Sequence, residues 1–126
     1  MHEDKEHVSV MFKYGDELRQ DQFILQMINY MDSLLKKVHL DYEFTIYKVL
    51  ATSKSDGFVE FVPNSKIIFE ILKKYSITML NYYKEISNNN EEILNKYLDS
   101  YINSCAGYCV VTYLLGIGDR HLENLM

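Results

Sequence analysis

The hydrophobic period of this chain changes at Pro63, its only proline, and that switch narrows the folds open to it. A proline brings no N–H to a strand ladder, so it closes an extended segment. On its amino-terminal side the pattern is strand-rich. Over residues 7–13, Val8, Val10 and Phe12 alternate with Ser9, Met11 and Lys13, and Gly15 ends the run. Residues 44–52 are rich in β-branched and aromatic side chains, Ser55-Asp56-Gly57 is a hairpin signal, and alternation resumes over 58–62. Between these runs Leu18, Ile24, Met27, Ile28, Met31, Leu34 and Leu35 recur at helical spacing, with Asp16 as N-cap and Lys37 as the end. Beyond Pro63 the period is helical. Asn64 or Ser65 caps a short helix through Ile67, Ile68, Ile71 and Leu72, and Ile77, Leu80 and Tyr83 suggest another. Residues 87–91 read as an exposed loop, and Ile93, Leu94, Tyr97, Leu98, Tyr101, Ile102, Cys105, Ala106 and Cys109 trace a long helix into the 110s. The fold class is α+β: a strand-rich half, an extended crossover at 59–63, and a helical half.

Composition excludes several classes of function. With a formal charge of −5 and no basic stripe interleaved with aromatics, the chain lacks a nucleic-acid surface. Its polar, charged first residues do not form a secretory signal. Residues 100–118 carry no charge, but Asn103, Ser104, Thr112 and three glycines interrupt them, so they read as a buried core helix and not as a membrane span. Cys105 and Cys109 lie four apart on one helical face. His2, His7 and His39 stand far from them without ligand spacing, so the expectation is buried thiols in a reducing, cytosolic compartment and no metal held by cysteine.

The chemistry is concentrated behind the long helix, in Gly116-Ile117-Gly118-Asp119-Arg120-His121-Leu122-Glu123-Asn124. Phosphoryl transfer needs a group to orient or deprotonate the attacking hydroxyl and an oxygen to hold magnesium. In protein kinases the catalytic Asp precedes a metal-binding Asn by five positions within H-R-D-L-x-x-x-N. Asp119 and Asn124 keep that interval, but the order Asp, Arg, His is a permutation of the kinase loop. Arg19 and Arg120 are the only arginines among thirteen strong bases, and each sits in a compact charged cluster. Both read as planar clamps for a carboxylate or carbonyls. A Lys near the end of a glycine-closed strand (Lys13), an extended crossover and a polar loop behind a helix follow one another in the order a two-lobed nucleotide kinase requires. In such kinases the base lies against the crossover.

Segments 12–21, 47–52, 59–63, 104–116 and 118–124 together resemble the catalytic domain of the phosphatidylinositol 3- and 4-kinase family. The resemblance runs from about residue 8 to 126. The crossover ending in Pro63 and the loop Gly118-Asp119-Arg120-His121-Leu122-Glu123-Asn124 are most similar to the class III, vacuolar-sorting type of phosphatidylinositol 3-kinase. A 4-kinase more typically shows Lys at the position of Gly118. The resemblance implies a partial protein-kinase-like two-lobed fold, with an N-lobe portion and hinge over about 7–62 and a C-lobe portion up to the catalytic loop over about 63–126. It implies transfer of the ATP γ-phosphate to the 3-hydroxyl of phosphatidylinositol, with a 4-kinase, a related protein kinase, or an inactive remnant or interaction piece as alternatives.

The family's roles transfer by position. Lys13 is implied to contact the ATP phosphates, and Asp21 with Tyr47 to form the polar back of the adenine pocket. Glu60 and Val62 are implied to offer adenine a carbonyl and an amide, with Phe61 between them. Asp119 and His121 are implied to activate and orient the inositol hydroxyl. An imidazole suits proton relay because it titrates near neutral pH, and which of the two accepts the proton stays open at this stage. Asn124 is implied to bind magnesium, with manganese as the alternative ion. A neutral ligand needs a carboxylate beside it to hold magnesium well. The family carries that carboxylate in an Asp-Phe-Gly segment after the position of Met126, and its phosphate-covering loop before the Lys strand. Residues 1–126 are therefore expected to be the middle of a catalytic domain, without turnover of their own. The implied setting is cytoplasmic and peripheral, on endosomal, vacuolar or autophagic membranes, with regulatory subunits as partners.

Overall fold

The computed structural model describes residues 8–74 and 78–126. His2, His7 and Ile77, which figured in the sequence reading, lie outside them, as does the charged amino-terminal stretch. Two compact units are present. The first holds the described residues up to Leu34 together with Thr45–Pro63, and the second holds Leu35–Phe44 and Asn64–Met126.

In the first unit, strand β1 (Val10–Tyr14) leads into helix α1 (Arg19–Lys37), whose last turn belongs to the second unit. Strands β2 (Val49–Ala51) and β3 (Asp56–Glu60) form an antiparallel hairpin. β3 is central, in the order β1-β3-β2, with Lys13 opposite Gly57 and Phe12 opposite Phe58. The rings of Phe12 and Phe58 stand 5.2 Å apart at 53°, the cross-strand aromatic contact their register predicts. Leu18, Ile28 and Val49 are buried. Helix α1 is tied to the sheet by a side chain the sequence did not single out: Gln22 Oε1 accepts from the Ala51 amide at 2.9 Å.

Several boundaries differ from expectation for identifiable reasons. Asp16 does not cap α1. Its carboxylate pairs with Lys13 Nζ at 3.4 Å, and the first helical bond runs from Gln22 N to the Leu18 carbonyl. The strand expected over 44–52 shortens to three residues, because Phe44 belongs to the second unit and Glu43 just before it holds φ at 53°. The hairpin turn falls one step earlier than the Ser-Asp-Gly signal: Thr52 and Ser53 amides both donate to the Asp56 carbonyl, and Asp56 and Gly57 already lie in β3.

Gly57 is a position of close backbone approach. A Cβ there would stand 2.4 Å from the Leu50 carbonyl oxygen and 3.0 Å from both Ala51 Cα and Leu18 Cδ1. A main-chain oxygen inside a ladder cannot yield, so Gly57→Ala is expected to lower unfolding free energy by about 2 kcal/mol. A urea midpoint shifted down at unchanged slope is the expected reading; a wild-type midpoint would contradict the packing described here.

In the second unit, helix α2 (Ile68–Lys74) begins three residues after Ser65, so neither Asn64 nor Ser65 caps it; the Ile67 carbonyl takes the Ile71 amide at 3.2 Å. Helix α3 (Met79–Ile86) opens on Thr78, whose side chain accepts from Asn81 N. Helix α4 (Glu91–Leu115) opens on Asn90, whose Oδ1 accepts from the Glu92 and Ile93 amides at 3.0 and 3.1 Å. Glu91 and Glu92 in its first turn complement the helix dipole. The turn between α3 and α4 is not the fully exposed loop expected, because Ser87 is buried, with its hydroxyl donating to the Lys84 carbonyl.

Tyr83 packs between Tyr97 and Tyr101 of α4, at 6.2 and 5.7 Å, and burial, then Tyr101, pushes its phenol up to about 12. Gly107 and Val111, four apart on α4, are the buried positions of that helix. Gly107 sits under the ring of Phe44, which meets Tyr108 edge-on at 4.9 Å and 89°. The helix is therefore not buried all round as expected, since Ile102, Val110, Tyr113 and Leu114 are exposed. Cys109 is likewise exposed, against the expectation of two buried thiols. No helix among the described residues is long and apolar enough to cross a membrane.

Candidate active site

Helix α4 ends where a left-handed residue becomes necessary. Gly116 takes φ 63°, its amide donating to the Thr112 and Tyr113 carbonyls, and the Ile117 amide returns to Thr112 at 2.9 Å. This is the glycine-terminated helix end that closes orphan carbonyls. The chain then runs as a polar loop whose far side is anchored by main-chain bonds: the Phe69 amide donates to the Leu122 carbonyl at 3.0 Å and the Ile68 amide to the Leu125 carbonyl at 2.9 Å.

Inside this loop Asp119, His121 and Asn124, the three polar residues picked out from the sequence, are brought together. Asp119 adopts φ 56°, a conformation that Asp reaches more readily than most residues. Asn124 Nδ2 donates to both the main-chain oxygen and Oδ2 of Asp119, each at 3.0 Å. His121 Nε2 faces Asp119 Oδ1 at 3.5 Å, and His121 Nδ1 accepts from the Glu123 amide at 3.3 Å. The side chains of His121 and Asp119 are 52% and 77% exposed, so the pair adds little to stability and stands open to a substrate. Arg120 clamps the loop as its planar group allows, Nε to the Gly118 carbonyl at 2.9 Å. Arg19 does the same with a carboxylate, gripping Glu17 with two nitrogens and holding its carboxyl below the usual range.

The remaining predicted residues lie in the first unit. Lys13 is on β1, its ammonium paired with Asp16. Asp21 stands in the first turn of α1, exposed, one residue before the Gln22 tether. Tyr47 lies two residues ahead of β2 and is partly exposed. Glu60 is the last residue of β3, and the Phe61 amide that follows it donates to the Ser9 carbonyl at 2.8 Å. Val62 continues the crossover. Lys48 is a neighbour that sequence reasoning missed: it bonds Glu60 through its carbonyl, at 2.8 Å, and through its amide, at 2.7 Å. No spacing rule would have found it, because the contact joins residues twelve apart.

Comparison with known proteins gives one family. The profile of the family described as phosphatidylinositol 3- and 4-kinase matches residues 7–126. A relative named phosphatidylinositol 3-kinase pik3, from Schizosaccharomyces pombe, is 48% identical over 125 residues, covering 93% of this chain and 15% of its own length. The Saccharomyces cerevisiae phosphatidylinositol 3-kinase VPS34 is 45% identical over 119 residues, covering 93% and 14%. The Arabidopsis thaliana protein of the same name is 48% identical over 121 residues, again 93% and 14%. The chain thus spans about a seventh of the length of these relatives. The family resemblance read from the sequence is borne out, and relatives named VPS34 agree with the vacuolar-sorting subclass.

Proposed function

This chain belongs to the phosphatidylinositol 3- and 4-kinase family, and from that premise we propose that it carries part of the catalytic apparatus of an ATP- and magnesium-dependent phosphatidylinositol 3-kinase. The observation that supports this reading most directly is the knit of Asp119, His121 and Asn124 in one solvent-facing loop. The bonds they make support the roles proposed for them. His121 Nδ1 is engaged by the Glu123 amide, so the neutral imidazole carries its proton on Nε2, toward Asp119. The carboxylate is then the group with lone pairs to draw the proton from the inositol hydroxyl, and His121 steadies and orients it.

Asn124 spends its amide N–H on Asp119, which leaves Oδ1 as the oxygen it can offer a hard cation. That donor type fits magnesium, which when bound neutralises charge on the transferring phosphate. In the first unit, Lys13 supplies a cation for the ATP phosphates, Asp21 and Tyr47 form the polar back of the base pocket, and Glu60 and Val62 offer adenine a main-chain carbonyl and amide, with Phe61 between them. The lipid is phosphatidylinositol presented on a cytosol-facing surface, with endosomal, vacuolar or autophagic membranes as the setting and regulatory subunits as partners.

The test is product identity. The full-length product of the reading frame, given labelled ATP, magnesium and phosphatidylinositol vesicles, is expected to yield the 3-phosphate by chromatography. The 4-phosphate or labelled protein would replace the proposal with the corresponding kinase. No transfer from any substrate would leave the remnant reading in its place.

A further inference from the structure

The end of the β2–β3 ladder departs from the pairing that precedes it. Antiparallel partners alternate between pairs that exchange two main-chain bonds and pairs that exchange none. Leu50 and Phe58 face each other in register, Thr52 N donates to the Asp56 carbonyl, and two residues along in the other direction Lys48 meets Glu60. There the exchange is half main-chain: Glu60 N donates to the Lys48 carbonyl at 2.8 Å, but the Lys48 amide donates at 2.7 Å to Glu60 Oε2. The carboxylate stands where the residue's own carbonyl belongs. An ionised acceptor makes the stronger bond, so the amide has reason to prefer it.

The orientation of the displaced carbonyl is set independently. The Glu60 C=O and the Phe61 N–H share one planar trans peptide, and the Phe61 N–H is held by the Ser9 carbonyl at 2.8 Å on the β1 side. The Glu60 carbonyl therefore points away from β1. We infer that the Glu60 side chain is a positioning residue for base selection: by taking the Lys48 amide it releases its own main-chain carbonyl to accept the exocyclic amine of a 6-aminopurine. This deepens the proposed function and rests on ATP as the phosphoryl donor. Adenine presents an N–H donor at its 6-position, whereas guanine presents an acceptor there, so the freed carbonyl favours ATP over GTP.

Glu60→Ala returns the Lys48 amide to the main-chain carbonyl and closes that acceptor. In the full-length product of the reading frame it is expected to raise the KM for ATP about tenfold, the value of one hydrogen bond, while the KM for GTP stays within twofold. Glu60→Gln keeps a side-chain oxygen for the same amide and is expected to recover ATP binding to within threefold of wild type. With ¹⁵N-lysine labelling and no nucleotide, the Lys48 amide signal should move on acidification in wild type and stay in place in Glu60→Gln. ATP and GTP weakening together, Glu60→Gln behaving as Glu60→Ala, or a Lys48 signal that ignores the carboxyl group in wild type would each overturn the inference. The last holds even if Glu60→Ala fails to fold. Wild-type protein that does not bind ATP, with the Lys48 signal still responding, would instead overturn the ATP reading and leave the hydrogen-bond exchange standing.

Discussion

Asp119→Asn in the full-length product of the reading frame is expected to reduce the proposed transfer of phosphate to phosphatidylinositol by about 10³-fold, within the range seen when a general base is removed. The substitution is chosen because it spares the loop. Asn tolerates the left-handed backbone that Asp119 adopts at φ 56°, and its side-chain oxygen can still accept from Asn124 Nδ2, now at 3.0 Å from Oδ2. What it removes is the negative charge facing His121 Nε2 and the lone pairs proposed to take the hydroxyl proton. The KM for ATP should therefore stay within threefold of wild type, since base and phosphate contacts are assigned elsewhere. Initial rates of label incorporation into lipid vesicles measure both quantities. A residual rate above a tenth of wild type would mean that the carboxylate only shapes the loop.

In the same full-length product, with Lys13 in its proposed contact with the ATP phosphates, Lys13→Met is expected to lower turnover by at least about 10²-fold and to weaken ATP binding, as for the loss of one charge-stabilising group at a transferring phosphate. Met keeps the apolar stem on β1 and deletes the ammonium alone. Little of the fold depends on that charge: its pairing with Asp16, at 3.4 Å with side chains 40% and 57% exposed, is of the kind worth under about 1 kcal/mol. Asp16→Ala is the control, because it removes the partner and leaves the lysine, and its turnover should stay within twofold of wild type. If Asp16→Ala proves as damaging as Lys13→Met, the ion pair and not the lysine's contact with ATP is what matters. Circular dichroism of both variants separates misfolding from lost chemistry.

Much of the architecture could be read from the residue pattern. Among the described residues the period switch at Pro63 separates three strands and a long helix from three further helices, and the polar loop after the last of them brings Asp119 and Asn124 into contact as their five-residue interval suggested. The misreadings arise where a contact outside an element's own pattern outweighs its local preference. Residues 44–48 look like a strand by composition, yet the Phe44 ring is drawn over Gly107 of α4. Ser87 sits in a run of turn-formers, yet it is buried. Asp16 looks like a cap but finds a lysine on the preceding strand. Gln22 and Lys48 were invisible because each matters through a bond to a strand residue well along the chain. Side-chain spacing on one element can be inferred from the sequence, but which strand a helix residue will reach cannot.

The anchoring of the polar loop at the amides of Ile68 and Phe69 reverses an ordinary tolerance. The opening turn of a helix generally accepts proline, because its amides have no partner inside the helix. In α2 those two amides are already committed to Leu122 and Leu125, so an imino acid at 68 or 69 would cast the loop adrift without disturbing the helix that carries it. The carbonyls on the receiving side belong to every residue type. Drift in the identity of positions 122 and 125 therefore leaves the mooring intact, and the vulnerable end lies some fifty residues away from the chemistry it secures.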